Sequence, residues 1–334
     1  MSLGASFLFR VGGLVIDADT PLDGLRRLEE PDATDVAHAH VRVRLCGSIG
    51  APSVDEAAGV WFVSPYRDER GVPLLTIWTV GAGYLLRYAE GASFVVSASG
   101  REVDGWWDAP LTEADAAGYL LGGVLAFVVR LRGRVPLHAS AVVIEDQAVL
   151  FAGDAGAGKS SLAAAFAILG YPILSDDVVV MDDSGDGVRA HPSHPRLSIW
   201  PDAASSLFSA KSLPAHSPVY DKRRLDLLAD GYRFHDRAEP VGRICILAPR
   251  TVSGRLPEIQ DLRPQTALMK LVRHTYSNYL LDAPMRSREF DLLGRVAASV
   301  RVSELKLGEG LDTLVSDCRL LTTRLALQSA AHAI

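Results

Sequence analysis

Gly153-Asp154-Ala155-Gly156-Ala157-Gly158-Lys159-Ser160 is the stretch that leaves this chain the fewest architectures. It fits G-x-x-x-x-G-K-[ST] in full. It also lies between a strand-like run, Ala148 to Ala152, and a segment of helical composition, Lys159 to Leu169, that stops at Gly170. A strand-loop-helix unit of this kind belongs to an α/β domain. The glycines let the backbone curl until successive N–H groups point inward, and the helix dipole adds partial positive charge where a β-phosphate would sit. Lys159, the first lysine in the chain, then reaches the β- and γ-phosphates, Ser160 ligates magnesium, and Ser161 continues the phosphate-binding run. The implied ligand is a purine nucleotide, ATP with Mg2+.

With 334 residues the chain has room for two ordinary domains, each burying its own core. Up to about residue 110 the pattern is strand-like, with His40 to Leu45, Leu74 to Val80 and Phe94 to Val96 as the clearest runs. We read 1–110 as a β-rich N-terminal domain suited to substrate recognition, and 111–334 as the nucleotide-binding catalytic domain. Leu111 to Leu131 reads as a helix, capped by Thr112-Glu113-Ala114-Asp115 and leading into the second domain. Its apolar body, Ala116 to Val129, is interrupted by Gly118, Gly122 and Gly123 and is shorter than the ~20 residues a bilayer needs, so a buried helix is expected. Further on, strands are expected at Leu137 to Ile144, Ile173-Leu174 and Ile244 to Ala248. An irregular stretch carries Pro192, Pro195, Pro201, Pro214 and Pro218, and beyond Gln265 the chain reads as helical with one strand near Val302 to Leu307.

The net charge of -6 argues against a nucleic-acid partner held by bulk electrostatics. Cys46, Cys245 and Cys318 fit no disulfide or metal spacing and read as reduced thiols. Met1-Ser2-Leu3-Gly4 lacks the charged stretch and apolar run of a secretory signal, so the expectation is a cytoplasmic protein with no membrane partner, compatible with a homo-oligomer.

A nucleotide site needs a second group to hold the metal or activate an attacking hydroxyl, commonly supplied from the end of a neighbouring strand. Asp176-Asp177 interrupts the apolar run Ile173-Leu174 to Met181, where ionised carboxylates are costly unless a cation or donor compensates them. Adjacent strand residues point to opposite faces, so either aspartate could be the general base and the other its partner near the metal. His138, inside Val135 to Ala141, reads first as a hydrogen-bonded core residue, the commoner case for a lone histidine in an apolar stretch, and second as a catalytic residue. Lys222-Arg223-Arg224 is the densest positive cluster, and together with Arg196 it is a candidate for holding an anionic substrate, or else a solvated face flanked by Asp221 and Asp226.

Leu137-His138-Ala139-Ser140-Ala141, the run Leu150 to Ser160, and Leu174-Ser175-Asp176-Asp177 together resemble the catalytic domain of the HPr kinase/phosphorylase family in order and spacing. The resemblance implies a P-loop fold related to phosphoenolpyruvate carboxykinase, serine kinase chemistry, Lys159 on the triphosphate, Ser160 and Asp176 at the metal, Asp177 as general base and His138 beside it. Nothing before residue 110 is similar to the N-terminal domain of the bifunctional enzymes, and the Arg-Pro-Gly-Arg-Asn type of signature that accompanies phosphorylase activity is missing. The stretch His191 to Asp202 resembles a branch of stand-alone kinases that phosphorylate the C-terminal serine of lasso-peptide precursors. The expected partner is therefore a peptide or protein serine substrate, a ribosomal precursor peptide in the first place. The alternatives are an HPr-kinase-like kinase of another protein or small molecule, and a non-catalytic nucleotide-dependent regulator.

Overall fold

The structure is a computed structural model that describes residues 6–28, 41–53, 59–183, 185–208, 212–217, 220–250 and 256–329. Met1 to Gly4, His40 and Pro218, on which expectations above fell, lie outside the described residues. The fold is mixed α/β and divides into two compact units, Met1–Arg134 and Val135–Ile334.

Among the described residues, the first unit holds one eight-stranded sheet: β1 (Phe7–Val11), β2 (Leu14–Ala18), β3 (Val41–Gly47), β4 (Val60–Val63), β5 (Leu75–Val80), β6 (Gly83–Tyr88), β7 (Ala92–Ser97) and β8 (Glu102–Trp107), in the order β1-β2-β3-β8-β7-β6-β5-β4. Two helices follow, α1 (Glu113–Tyr119) and α2 (Leu125–Leu131), joined through a π-helical turn, Leu120–Val124. The expected cap is present: Thr112 accepts from the Asp115 N–H, and Asp115 accepts from the Thr112 N–H. We expected this run to open the second domain, but it packs into the first. Phe127 meets Tyr84 edge-on at 5.1 Å, and Gly123 lets Tyr88 Oη come to 2.6 Å from where a Cβ would sit. Glu113–Leu131 is, among the described residues, the one helical run long and apolar enough to cross a membrane, and 61% of its most apolar window is buried in the protein. Of the glycines that interrupt its apolar pattern, Gly123 is where the sheet approaches closely, whereas Gly118 faces open space.

The second unit carries the loop Gly153 to Ser160. Its strands are β9 (Val135–Ile144), β10 (Gln147–Ala152), β11 (Ile173–Ser175), β12 (Val178–Asp183), β13 (Val188–His191), β14 (Arg196–Ile199), β15 (Ala215–Ser217), β16 (Tyr220–Asp226), β17 (Glu239–Leu247), β18 (Glu258–Asp261) and β19 (Arg301–Lys306). Its helices are α3 (Lys159–Ile168), α4 (Pro201–Leu207), α5 (Pro264–Arg273), α6 (Ala283–Ser299) and α7 (Leu314–Ser329). The main sheet runs β10-β9-β12-β13-β17-β19-β18. The long β17 pairs with β13 at its start and with β10, in parallel, further along, which closes β10, β9, β12, β13 and β17 into a circuit.

Strand alternation sorts the side chains onto two cores. Val142, Ile144, Val149 and Phe151 face Leu162 and Phe166 of α3 and Cys318, Leu321 and Leu325 of α7, while Leu137, Ala139, Ala141, Leu150 and Ala152 face Leu271 of α5 and Leu293 and Val296 of α6. Burying Phe166, which stacks on Phe151 at 5.4 Å, contributes about 1.5–3 kcal/mol. The proline-marked stretch, expected to be irregular, forms a three-stranded sheet, β14-β16-β15. Its short strands end near Pro195, Pro201 and Pro214, and Leu197, Ile199 and Leu225 anchor it to the core beneath α3. Cys245 and Cys318 are buried and unbridged, and burial pushes the Cys245 thiol up to about 12.

Candidate functional site

β10 ends at Ala152 and α3 begins at Lys159, so the loop between them is held at both ends by the core. Gly158, the N-cap of α3, has φ 96°, a left-handed conformation that glycine adopts without steric cost. Gly153 sits in a tight place: a Cβ there would lie 3.2 Å from the Leu247 side chain at the end of β17. A Cβ on Gly158 would lie 2.8 Å from a guanidinium nitrogen of Arg250.

Lys159 is 6% exposed, and its Nζ donates to the carbonyls of Gly153 and Asp154, each at 3.0 Å. Burial pushes its ammonium below the ordinary value of 10.5; Asp177 and Asp176 pull it back up, and Lys222 adds to the depression. The loop lysine, both aspartates and Lys222 therefore share one electrostatic neighbourhood.

The two aspartates occupy a break in a single path along β9. Ser175 is paired with Ala141 and Val178 with His138, so Asp176 and Asp177 fall opposite Ser140 and Ala139. Asp177 has φ 66°, an uncommon conformation for a residue with a Cβ, although aspartate tolerates it better than most. This turn of the backbone breaks strand alternation, which is why both carboxylates can act on Lys159. The turn is closed by Ser175 Oγ, which donates to the Val178 carbonyl at 2.7 Å, and by the Val178 N–H, which donates to the Asp176 carbonyl at 2.8 Å.

The environments of the pair differ. Asp176 is 2% exposed; Ser140 Oγ donates to its Oδ1 at 2.6 Å and the Ser198 N–H to its Oδ2 at 3.1 Å, so it ties β9 to β14. Each oxygen keeps one lone pair for a further donor or cation. Asp177 has a side chain 39% exposed, with Oδ1 3.4 Å from His138 Nδ1. That nitrogen is also 3.1 Å from the Asp177 carbonyl oxygen, an arrangement that suits a proton on Nδ1. His138 and Ser140 share one side of β9, so the apolar context of His138 in the sequence reflects the other face of its strand.

The turn after α5, which carried little weight in the sequence, meets both halves of the site. Arg273 Nη2 donates to Asp154 Oδ2 at 2.9 Å, His274 Nδ1 lies 3.8 Å from Asp154 Oδ1, and the His138 N–H donates to the His274 carbonyl at 2.9 Å. Burial pushes His274 from 6.5 down to about 4, although Asp154 opposes the shift. Between those values the unfolded chain takes up a proton that the folded chain refuses. This cost is absent above 6.5 and fully felt below about 4, so stability falls as pH drops through that window. His274→Gln is expected to flatten this limb of the unfolding midpoint plotted against pH, and an unaltered slope would count against the assignment.

The basic cluster divides by strand parity. In β16, Arg224 lies opposite Ser198, Lys222 shares its side, and the Lys222 Nζ sits over the exposed Trp200 ring at 5.5 Å. Arg223 takes the alternate side with Leu225. Arg196 lies opposite Asp226, with its Nε 3.6 Å from that carboxylate. Lys222 and Arg224 thus stand on the strand side of Ser198, whose N–H holds Asp176. Sequence reasoning missed Ser140, Ser198, Arg250 and Arg273 as parts of this site. Ser140 alone carried a signal, its place two residues after His138 on the same strand face.

No family model matches the chain, and no curated protein matches it. Among solved structures, the chain is similar to the Hpr(Ser) kinase/phosphatase from Coxiella burnetii, with 15% sequence identity and a TM-score of 0.31 over 58% of this chain and 98% of that one.

Proposed function

We propose that this protein is an ATP-dependent kinase that transfers the γ-phosphate to a serine hydroxyl. The observation that carries the reading is the convergence of a buried phosphate-loop lysine and a kinked aspartate pair in one electrostatic neighbourhood. The loop fits a nucleotide's phosphates because Gly158 leaves bare backbone at the N-terminus of α3, and Lys159 rests on two loop carbonyls that leave its charge available. Magnesium fits the hard oxygen donors of Ser160 and Asp176, and when bound it neutralises charge on the phosphate oxygens.

Asp177 is the general base. Its carboxylate accepts the serine proton as the serine oxygen bonds to the γ-phosphorus and the bond from that phosphorus to the β–γ bridging oxygen breaks, so that ADP leaves with the electron pair. His138, at 3.4 Å, orients that carboxylate, and Asp176 holds the strand break in place from its two hydrogen bonds. A pure nucleotide-dependent regulator has no use for a partly exposed carboxylate held in left-handed backbone, a conformation that costs energy and tends to cluster at functional sites.

Within this reading the acceptor is a serine at the C-terminus of a lasso-peptide precursor. Support comes from the likeness of Leu137 to Ala141, the Asp176-Asp177 pair and His191 to Asp202 to that branch, and from Lys222 and Arg224, which supply cations for a terminal carboxylate. A mixture of the protein with ATP, magnesium and such a peptide is expected to yield peptide carrying one added phosphate on its terminal serine, read by tandem mass spectrometry, and truncation of that serine to remove the product. Phosphorylation of HPr and not of peptides would overturn the acceptor while leaving the kinase. Phosphorylation of neither would overturn the kinase.

A further inference from the structure

Arg250 lies three residues past the end of β17, the parallel neighbour of the strand that feeds the loop Gly153 to Ser160. Its Nη1 donates to the carbonyls of Gly310 at 3.0 Å and Gly308 at 3.4 Å, which fixes the plane of the guanidinium. Its Nη2 lies 2.8 Å from the position a Gly158 Cβ would take, against the N-cap of α3. Among the described residues its polar partners are these backbone carbonyls, and no carboxylate pairs with it. A guanidinium beside a helix N-terminus, which itself carries about half a positive charge, is unfavourable until an anion lies between the two.

We infer that Arg250 is a phosphate-binding residue of the nucleotide site, gripping the phosphate chain from the β17 side while Lys159 reaches it from α3. The inference rests on the nucleotide reading above and adds a residue that the loop motif does not contain. The planar fork suits the task, since one nitrogen stays tethered to the Gly308–Gly310 turn while the other donates to a phosphate oxygen. Gly158 follows from the same arrangement, because any side chain there would displace the guanidinium from the loop.

The test is calorimetric titration of the full chain with ATP and, separately, with inorganic tripolyphosphate, which carries the phosphates without the base. Arg250→Gln retains an N–H donor for the carbonyls but no charge, and it is expected to weaken both probes by about 10- to 100-fold. Arg250→Lys retains the charge without the fork and is expected to lose less, up to about 10-fold. Glutamine binding both probes as tightly as the unmodified chain would overturn the inference and leave the nucleotide reading standing. An unmodified chain that binds neither probe would overturn both. Should circular dichroism show the glutamine chain unfolded, the lysine chain decides, and unchanged affinity there overturns the inference.

Discussion

Asp177→Asn is expected to lower phosphoryl transfer by about 10²- to 10⁴-fold, the scale of a lost general base, while ATP affinity stays within a few-fold of the unmodified protein. Asparagine is the informative substitution because it also tolerates the left-handed backbone, here φ 66°, so the strand break survives and only the proton acceptor is removed. Asp176→Asn should behave differently. Its carboxylate receives two donors, Ser140 Oγ and the Ser198 N–H, and an amide nitrogen turned toward either would leave buried donors opposed. That costs about 1–3 kcal/mol, and a unit of this size loses about 2–4 °C of unfolding midpoint per kcal/mol. Single-turnover transfer, nucleotide titration and thermal unfolding on both variants separate the roles. The opposite pattern would exchange the assignments within the pair, and two silent substitutions would show the site to be misread.

Lys159→Ala is expected to weaken ATP binding by about 100-fold or more and to abolish transfer, because the lost charge faces two phosphates at once. The folded chain should tolerate the change better than burial alone suggests. Burial already pushes the Lys159 ammonium below its ordinary value, so the folded state stabilises the charged form less well than water does, and deleting it removes that cost along with the bonds to Gly153 and Asp154. Affinity for ATP that survives the substitution would remove the nucleotide assignment, and with it the proposed transfer.

The loop from Gly153 to Ser160, the hairpin before it, the helix after it and the cap at Thr112 were legible in the sequence because each is local. Glycine spacing, alternation and capping residues act over a few positions, and the strand, loop and helix formed where those signals placed them. Three things were decided only by the tertiary structure. The apolar helix Glu113–Leu131 joined the first unit, because which sheet covers a helix depends on distant aromatic partners such as Tyr84 and Tyr88. The proline-marked stretch became a sheet through pairings between β14 and β16, separated by about twenty residues that local propensity does not link. The aspartate pair acquired distinct environments from one positive φ, one serine on β9 and one amide on β14, and Arg250 reached Gly158 from the end of another strand. Hydrogen bonds, burial and electrostatics between residues far apart in the chain depend on the folded backbone as a whole, so local spacing names the groups while the fold sets which of them meet.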